Sequence, residues 1–242
     1  MLGWLIWSQR WRWRPMVEEC RLLGLPLTTV TLPAGDRSRR LAQGGRILRR
    51  MGIRRAIADG TFDGWPELAA YGVAPVDPLP LCQVKGGELA LTLLKKYPLK
   101  HRVVALCGEK ADRTAWAMAD CLCPQTGTLL LDFDRGEEAL AGHLRRAYGA
   151  APPGLGHGLS PQVTVELSPR QSAVGEVLRL WGRPDLAGLE LEWQKAPMPT
   201  GIDSMMLLEV LWETGRAEGK DIRAVSRRNI LDRKAENTYN TE

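Results

Sequence analysis

Val103-Val104-Ala105-Leu106-Cys107-Gly108 is five apolar residues followed by a glycine. A run with no polar alternation fits a strand covered on both faces, as in the middle of a parallel sheet. Ala111 to Cys123 follows, with Ala115, Met118, Ala119 and Leu122 at helical spacing, Asp112 near its start and Pro124 past its end. Thr128 to Leu131 predicts the next strand, stopping at Asp132, Phe133 and Asp134. A second helix opens after Gly136, places Leu140, Leu144, Ala147 and Tyr148 on one face and ends at Gly149. Val163 to Leu167 completes a strand-helix-strand-helix-strand series, which calls for parallel pairing through crossover connections.

Working outward, Leu79 to Tyr97 reads as one long helix with Gly86 and Gly87 allowing another element to approach closely. Upstream, Leu2 to Trp7, Leu27 to Leu32, Ile53 to Ala58 and Val73 to Val76 read as strands. Helical segments are expected over Pro15 to Leu23, after the N-cap candidate Asp36 as far as Gly52, and over Pro66 to Tyr71. Downstream, Val177 to Trp181 and Leu189 to Trp193 alternate like short strands, Ile202 to Gly215 is an amphipathic helix, and Asp221 to Glu242 begins helix-compatible and ends as a polar tail. The expected fold class is α/β, two-lobed, with parallel sheets. Its divisions are a small α/β domain at 1–78, a connecting helix at 79–98, a second domain at 99–200, and C-terminal helices and tail at 201–242.

The 242 residues are 44% hydrophobic and 25% charged, without a run of eighteen uncharged apolar positions, so a globular chain without a membrane span is expected. Five cysteines, an odd and scattered set, argue for reduced thiols and a cytoplasmic setting. Cys121 and Cys123 offer two metal ligands where a closed zinc site needs four, and the three histidines lack ligand spacing, so no metal is expected. Residues 1–55 hold twelve arginines against Glu18, Glu19 and Asp36. Such asymmetry suits either a polyanionic partner or a solvated face.

Over residues 100–168 the pattern resembles dinucleotide-binding Rossmann domains, and the whole layout is similar to two-domain dehydrogenases; the resemblance is to architecture, with no particular family. It implies a G-x-G-x-x-G turn after the first strand, and the matching stretch is Gly108, Glu109, Lys110, Ala111, Asp112, Arg113. Only the first glycine is present. Lys110 and Arg113 stand where backbone should approach a pyrophosphate and where helix should pack tightly on strand. The resemblance further implies that Gly108, Lys110 and Arg113 would meet a phosphate and that Asp132 would hold a ribose hydroxyl of NAD or NADP. The missing glycines leave NAD(P) unfavoured and the cofactor unassigned.

Asp59 and Asp63 follow an upstream strand, where the crevice rule for parallel sheets could bring them to a ligand; loop chemistry explains them equally well. Ser160, Ser168 and Ser172 lack a nucleophile-elbow context. Gly154 to Gly158 precedes a strand, so it reads as a connection and not as a phosphate cradle. Trp7, Arg10, Trp11, Arg12, Trp13 and Arg14 interleave indoles with guanidinium groups, which suits single-stranded nucleic acid, although packing in the core or in a homo-oligomer interface is favoured. The reaction, if any, stays unassigned. The leading expectation is a small ligand in a crevice lined by Gly108, Lys110, Asp132, Asp59 and Asp63, with a nicotinamide-dependent oxidoreductase or a nucleic-acid- or protein-binding module as alternatives.

Overall fold

The computed structural model describes residues 1–11, 13–154, 158–170 and 174–226; Arg12, Ser172, residues 155–157 of the glycine-rich connection and the tail from residue 227 lie outside them. The chain forms two compact units, one from Met1–Pro78 with Trp193–Asp221 and one from Leu79–Glu192 with the segment that follows Asp221.

In the first unit β1 (Leu2–Trp11), β2 (Met16–Leu22), β3 (Leu25–Ala34), α1 (Arg37–Arg50), β4 (Arg55–Ile57), α2 (Trp65–Ala69) and β5 (Ala74–Pro75) form a sheet in the order β2-β3-β1-β4-β5. β1 runs parallel to β3 and β4, and β4 runs parallel to β5. β2 corrects the expectation of a helix over 15–23: it is an edge strand, antiparallel to β3 from Met16↔Thr31 to Leu22↔Leu25. The physical reason is the turn. Leu23 and Gly24 both take positive φ, at 50° and 80°, the combination that closes a two-residue hairpin with the twist strands require. Gly24 was therefore a hairpin signal and not a helix stop.

α1 is capped by Asp36, whose carboxylate accepts the Arg39 N–H at 3.0 Å. It buries Leu41, Gly44, Gly45 and Leu48. Leu41 and Leu48 join Leu5, Val30, Leu32, Ile53, Ala56 and Leu68 in the core of this unit. The two glycines admit neighbours that a Cβ would displace, since one built on Gly44 lies 2.9 Å from Leu32 Cδ2 and one on Gly45 2.4 Å from Tyr71 Cδ2. A helix over Ser204–Glu213, capped by Asp203, completes the unit. The Asp203 N–H donates to the Ala58 carbonyl at 2.7 Å.

The second unit opens with α3 (Leu79–Val84) and α4 (Gly86–Leu94), so the single long helix expected over 79–97 is interrupted at Lys85 and stops three residues early. Gly86 and Gly87 do allow close packing: a Cβ there would meet Met118 Cε at 2.3 Å and Cys121 Sγ at 2.8 Å. Then come β6 (Val103–Lys110), α5 (Arg113–Leu122), β7 (Thr128–Arg135), α6 (Glu137–Tyr148), β8 (Val163–Glu166) and β9 (Glu176–Arg179). The sheet order is β7-β6-β8-β9, and every neighbouring pair is parallel. This is the α/β architecture read from the sequence, and it is consistent with a Rossmann-like plan. Asp112 caps α5, and Gly149, at φ 67°, closes α6. β10 (Leu189–Trp193) pairs with β11 (Ile222–Ser226), a strand where the start of a helical tail was expected. Its alternation, with Ile222 and Ala224 buried and Arg223 exposed, is the period-2 signal that the polar surroundings masked.

Candidate functional site

In a parallel sheet, ligands settle at the carboxyl ends of adjacent strands whose following connections lead in opposite directions. Each unit has one such place. In the second unit β6 leads to β7 and β8 leads to β9, on opposite sides of the β6–β8 pair. In the first unit β1 leads toward β2 and β3 while β4 leads to β5.

Among the described residues, the second unit's strand edge is bonded by the chain itself. β6 does not turn at Gly108; it continues to Lys110, which pairs with Arg135 of an equally extended β7. Gly108 is buried, and a Cβ on it would lie 3.3 Å from Leu167 Cβ and 3.5 Å from Ser168 Oγ, so the approach that its missing side chain permits is taken by the segment after β8. The Glu109 N–H donates to Ser168 Oγ at 2.7 Å. Arg170 Nη2 donates to the Gly108 carbonyl at 2.6 Å and to Asp134 Oδ1 at 2.9 Å, and faces the Asp132 carbonyl at 3.4 Å. Burial lowers the Arg170 pKa, but the hydrogen bond to Asp134 and the charges of Asp132 and Asp134 raise it further, so the plug stays cationic.

The start of α5, where a diphosphate would sit, is occupied as well. Asp112 Oδ1 accepts the N–H groups of Thr114 at 2.9 Å and Ala115 at 3.1 Å, placing a fixed carboxylate at the helix N-terminus. Lys110 and Arg113 are exposed, and Arg135 is paired with Glu109. Asp132 is half-buried within β7, opposite Cys107, and does not lie in a loop beyond the strand.

Beneath this edge, burial and the nearby carboxylates of Glu166 and Asp132 push the Cys107 thiol up to about 12. It stays protonated at neutral pH and is a poor nucleophile. Treating the native protein with iodoacetamide near pH 8 should therefore leave Cys107 unmodified while the half-buried Cys20, Cys121 and Cys123 react, as peptide mass spectrometry would read. Early alkylation of Cys107 would contradict its burial.

The first unit's crevice is open. A pocket of 390 Å³ is lined by Leu5, Ile6 and Trp7 of β1, by Arg37 at the start of α1, and by Asp59, Thr61, Phe62 and Asp63 after β4. β1 pairs with β4 only from Leu2↔Arg55 to Trp4↔Ile57, which leaves the next three residues of β1 uncovered on that side. Asp59 Oδ1 accepts the Thr61 hydroxyl at 2.6 Å and the Thr61 N–H at 2.9 Å. These bonds, the hydroxyl's first, hold the Asp59 carboxyl below the ordinary carboxylate value, so it is ionised at neutral pH. Asp63 is paired with Arg37, whose guanidinium lies 5.9 Å from the Trp7 ring centroid. Phe62 is held edge-on against Trp65, with centroids 4.8 Å apart.

The structure thus brings Asp59 and Asp63 together in one pocket of the first unit, and Gly108 and Asp132 onto neighbouring strands of the second, with Lys110 and Arg113 exposed nearby. Sequence reasoning placed Thr61 beside Asp59 and Asp63 after the strand, but it missed Arg37 and Arg170 and considered Ser168 only as a nucleophile. Applying the crevice rule to every strand would have named Arg37 after β3 and Ser168 to Arg170 after β8. Among the described residues, no group of three or more His, Cys, Asp or Glu side chains is placed to hold a metal ion, and no helix is long and apolar enough to cross a membrane.

No protein-family model matches the chain, and no curated protein does. Among solved structures, the chain is similar to L-tryptophan dehydrogenase from Nostoc punctiforme, at 14% identity and a TM-score of 0.29. The match covers 58% of this chain and 42% of that one. At that score the likeness carries no argument about what this chain does.

Proposed function

We propose that the protein binds a small ligand in the β1–β4 crevice of its first unit and holds no dinucleotide at the Gly108–Arg113 stretch of its second. The observation that carries this reading is the contrast between two equivalent strand edges. One has its donors and acceptors bonded to Asp112, Ser168 and Arg170, and the other keeps a pocket of 390 Å³. That volume falls within the range of about 300–1,000 Å³ in which small-molecule pockets lie.

The pocket's chemistry indicates a planar ring bearing an amino group. Trp7 and Phe62 give it aromatic walls. Asp59 spends one oxygen on Thr61 and keeps the other as an acceptor for a ligand N–H. Arg37 and Asp63 neutralise each other, so the lining carries one net negative charge, which favours a neutral or cationic ligand over a dinucleotide's diphosphate.

Adenine serves as the probe. At about ten times its dissociation constant a ligand adds about 1.4 kcal/mol to the folded state, enough to raise the melting temperature by a few degrees. The shift should appear with the native protein and disappear in Asp59→Asn. A shift that survives Asp59→Asn and is lost in Lys110→Glu would place the ligand at the other edge and refute the proposal.

A further inference from the structure

α1 has one face committed to the core and another with no counterpart in the unit. Of its fourteen residues six are arginine and none is acidic. Arg39, Arg46 and Arg50 are exposed. At 3.6 residues per turn they fall within about 40° of one another around the helix and extend along about 16 Å of its axis. None of the three is in an ion pair among the described residues; Arg46 Nε donates to the Ala42 carbonyl at 3.1 Å.

An exposed indole belongs to a residue tied to the same helix. Trp13 is 79% exposed, and its carbonyl accepts Arg40 Nη1 at 3.0 Å, which ties residue 13 to the first turn of α1. Arg10, near the end of β1, and Arg14, next to Trp13, are also exposed.

We propose that this face binds single-stranded nucleic acid, with the Arg39–Arg46–Arg50 row on the phosphates and Trp13 stacked on an unpaired base. Three observations select that partner. Every cation in residues 1–55 is an arginine, whose planar fork matches phosphate oxygens and whose flat face stacks on bases, whereas lysine supplies only a point charge. An indole with most of its surface in water is the platform that sequence-tolerant strand binding uses. A lipid surface would need an apolar helix face to insert, and α1 has spent Leu41, Gly44, Gly45 and Leu48 on the sheet.

The site is separate from the pocket, so the two proposals fail independently: Asp59→Asn leaves strand binding unchanged. Fluorescence anisotropy of a labelled oligothymidylate, titrated with the full chain at several salt concentrations, tests the inference. Binding should weaken steeply with salt. Arg39→Gln, Arg46→Gln and Arg50→Gln combined should reduce the steepness by about 2 in the log–log slope, since each phosphate contact on a single strand contributes about 0.7. Trp13→Ala should weaken binding by about tenfold with the slope unchanged. All four side chains are exposed, so the variants keep the native melting temperature. The inference is overturned by no binding at low salt, by a triple variant with the native slope, by duplex of the same length binding more tightly, or by anionic phospholipid vesicles binding where the oligonucleotide does not.

Discussion

Gly175→Ala should lower the free energy of unfolding by about 2–5 kcal/mol, whereas Gly182→Ala should cost only about 1–2 kcal/mol. Both glycines adopt the left-handed conformation, at φ 81° and 56°, so both substitutions meet the same backbone penalty of about 1–2 kcal/mol. They differ in what a methyl group would touch. At Gly182 nothing lies within 4 Å. At Gly175 a Cβ would come within 2.5 Å of the Gln162 carbonyl oxygen and 2.6 Å of the Pro161 carbonyl oxygen. The Gln162 oxygen cannot retreat freely, because it accepts the Glu176 N–H at 2.8 Å, at the rung where β9 joins β8. Urea denaturation of the two variants side by side measures the difference, and equal midpoints would mean that β9 does not enter the sheet as described.

The second large effect lies in the central strand. Leu106→Ala should destabilise the protein by about 2–5 kcal/mol, because the side chain has no solvent exposure and its removal leaves a cavity in a close-packed interior. Leu106 stands between Leu131 of β7 and Val165 of β8, so the loss reports on the strand that every layer of the second unit shares. Leu106→Met, which keeps the volume, should cost less than about 1.5 kcal/mol. An alanine variant as stable as native protein would show that β6 is not central.

The stretch from β6 to β8 in the second unit was legible because its signals agree at every level. Uninterrupted apolar runs, a side-chain cap at Asp112 and a glycine stop at Gly149 all specify the same alternation, and the structure realises each of them. The first unit was harder where two readings share one spelling. Leu23-Gly24 fits a helix terminus as well as a hairpin, and only pairing with β3 chooses between them. β11 was hidden because five residues with two buried positions give too short a pattern to outweigh their polar neighbours.

At the site, Asp59 and Asp63 could be nominated from position alone, because a residue after a parallel strand is near the crevice by construction. Arg170, after β8, falls under the same rule, but its role could not be read from position. Besides the Asp134 carboxylate it bonds the carbonyls of Gly108 and Asp132, 62 and 38 residues away, and a backbone carbonyl has no spelling in a sequence. The same holds for Ser168, which reads as an ordinary loop residue until the Glu109 N–H is found on it. The missing glycines set the Gly108–Arg113 stretch apart from the dinucleotide fingerprint, and in the structure Ser168 and Arg170 bond to its backbone.

That occupancy is tested most directly by titrating NADH into the full chain and following energy transfer from tryptophan to the nicotinamide. With Arg170, Ser168 and Asp112 holding the groups a diphosphate would use, no saturable signal is expected up to millimolar NADH. A saturable signal that Lys110→Glu abolishes and Asp59→Asn leaves intact would contradict the account.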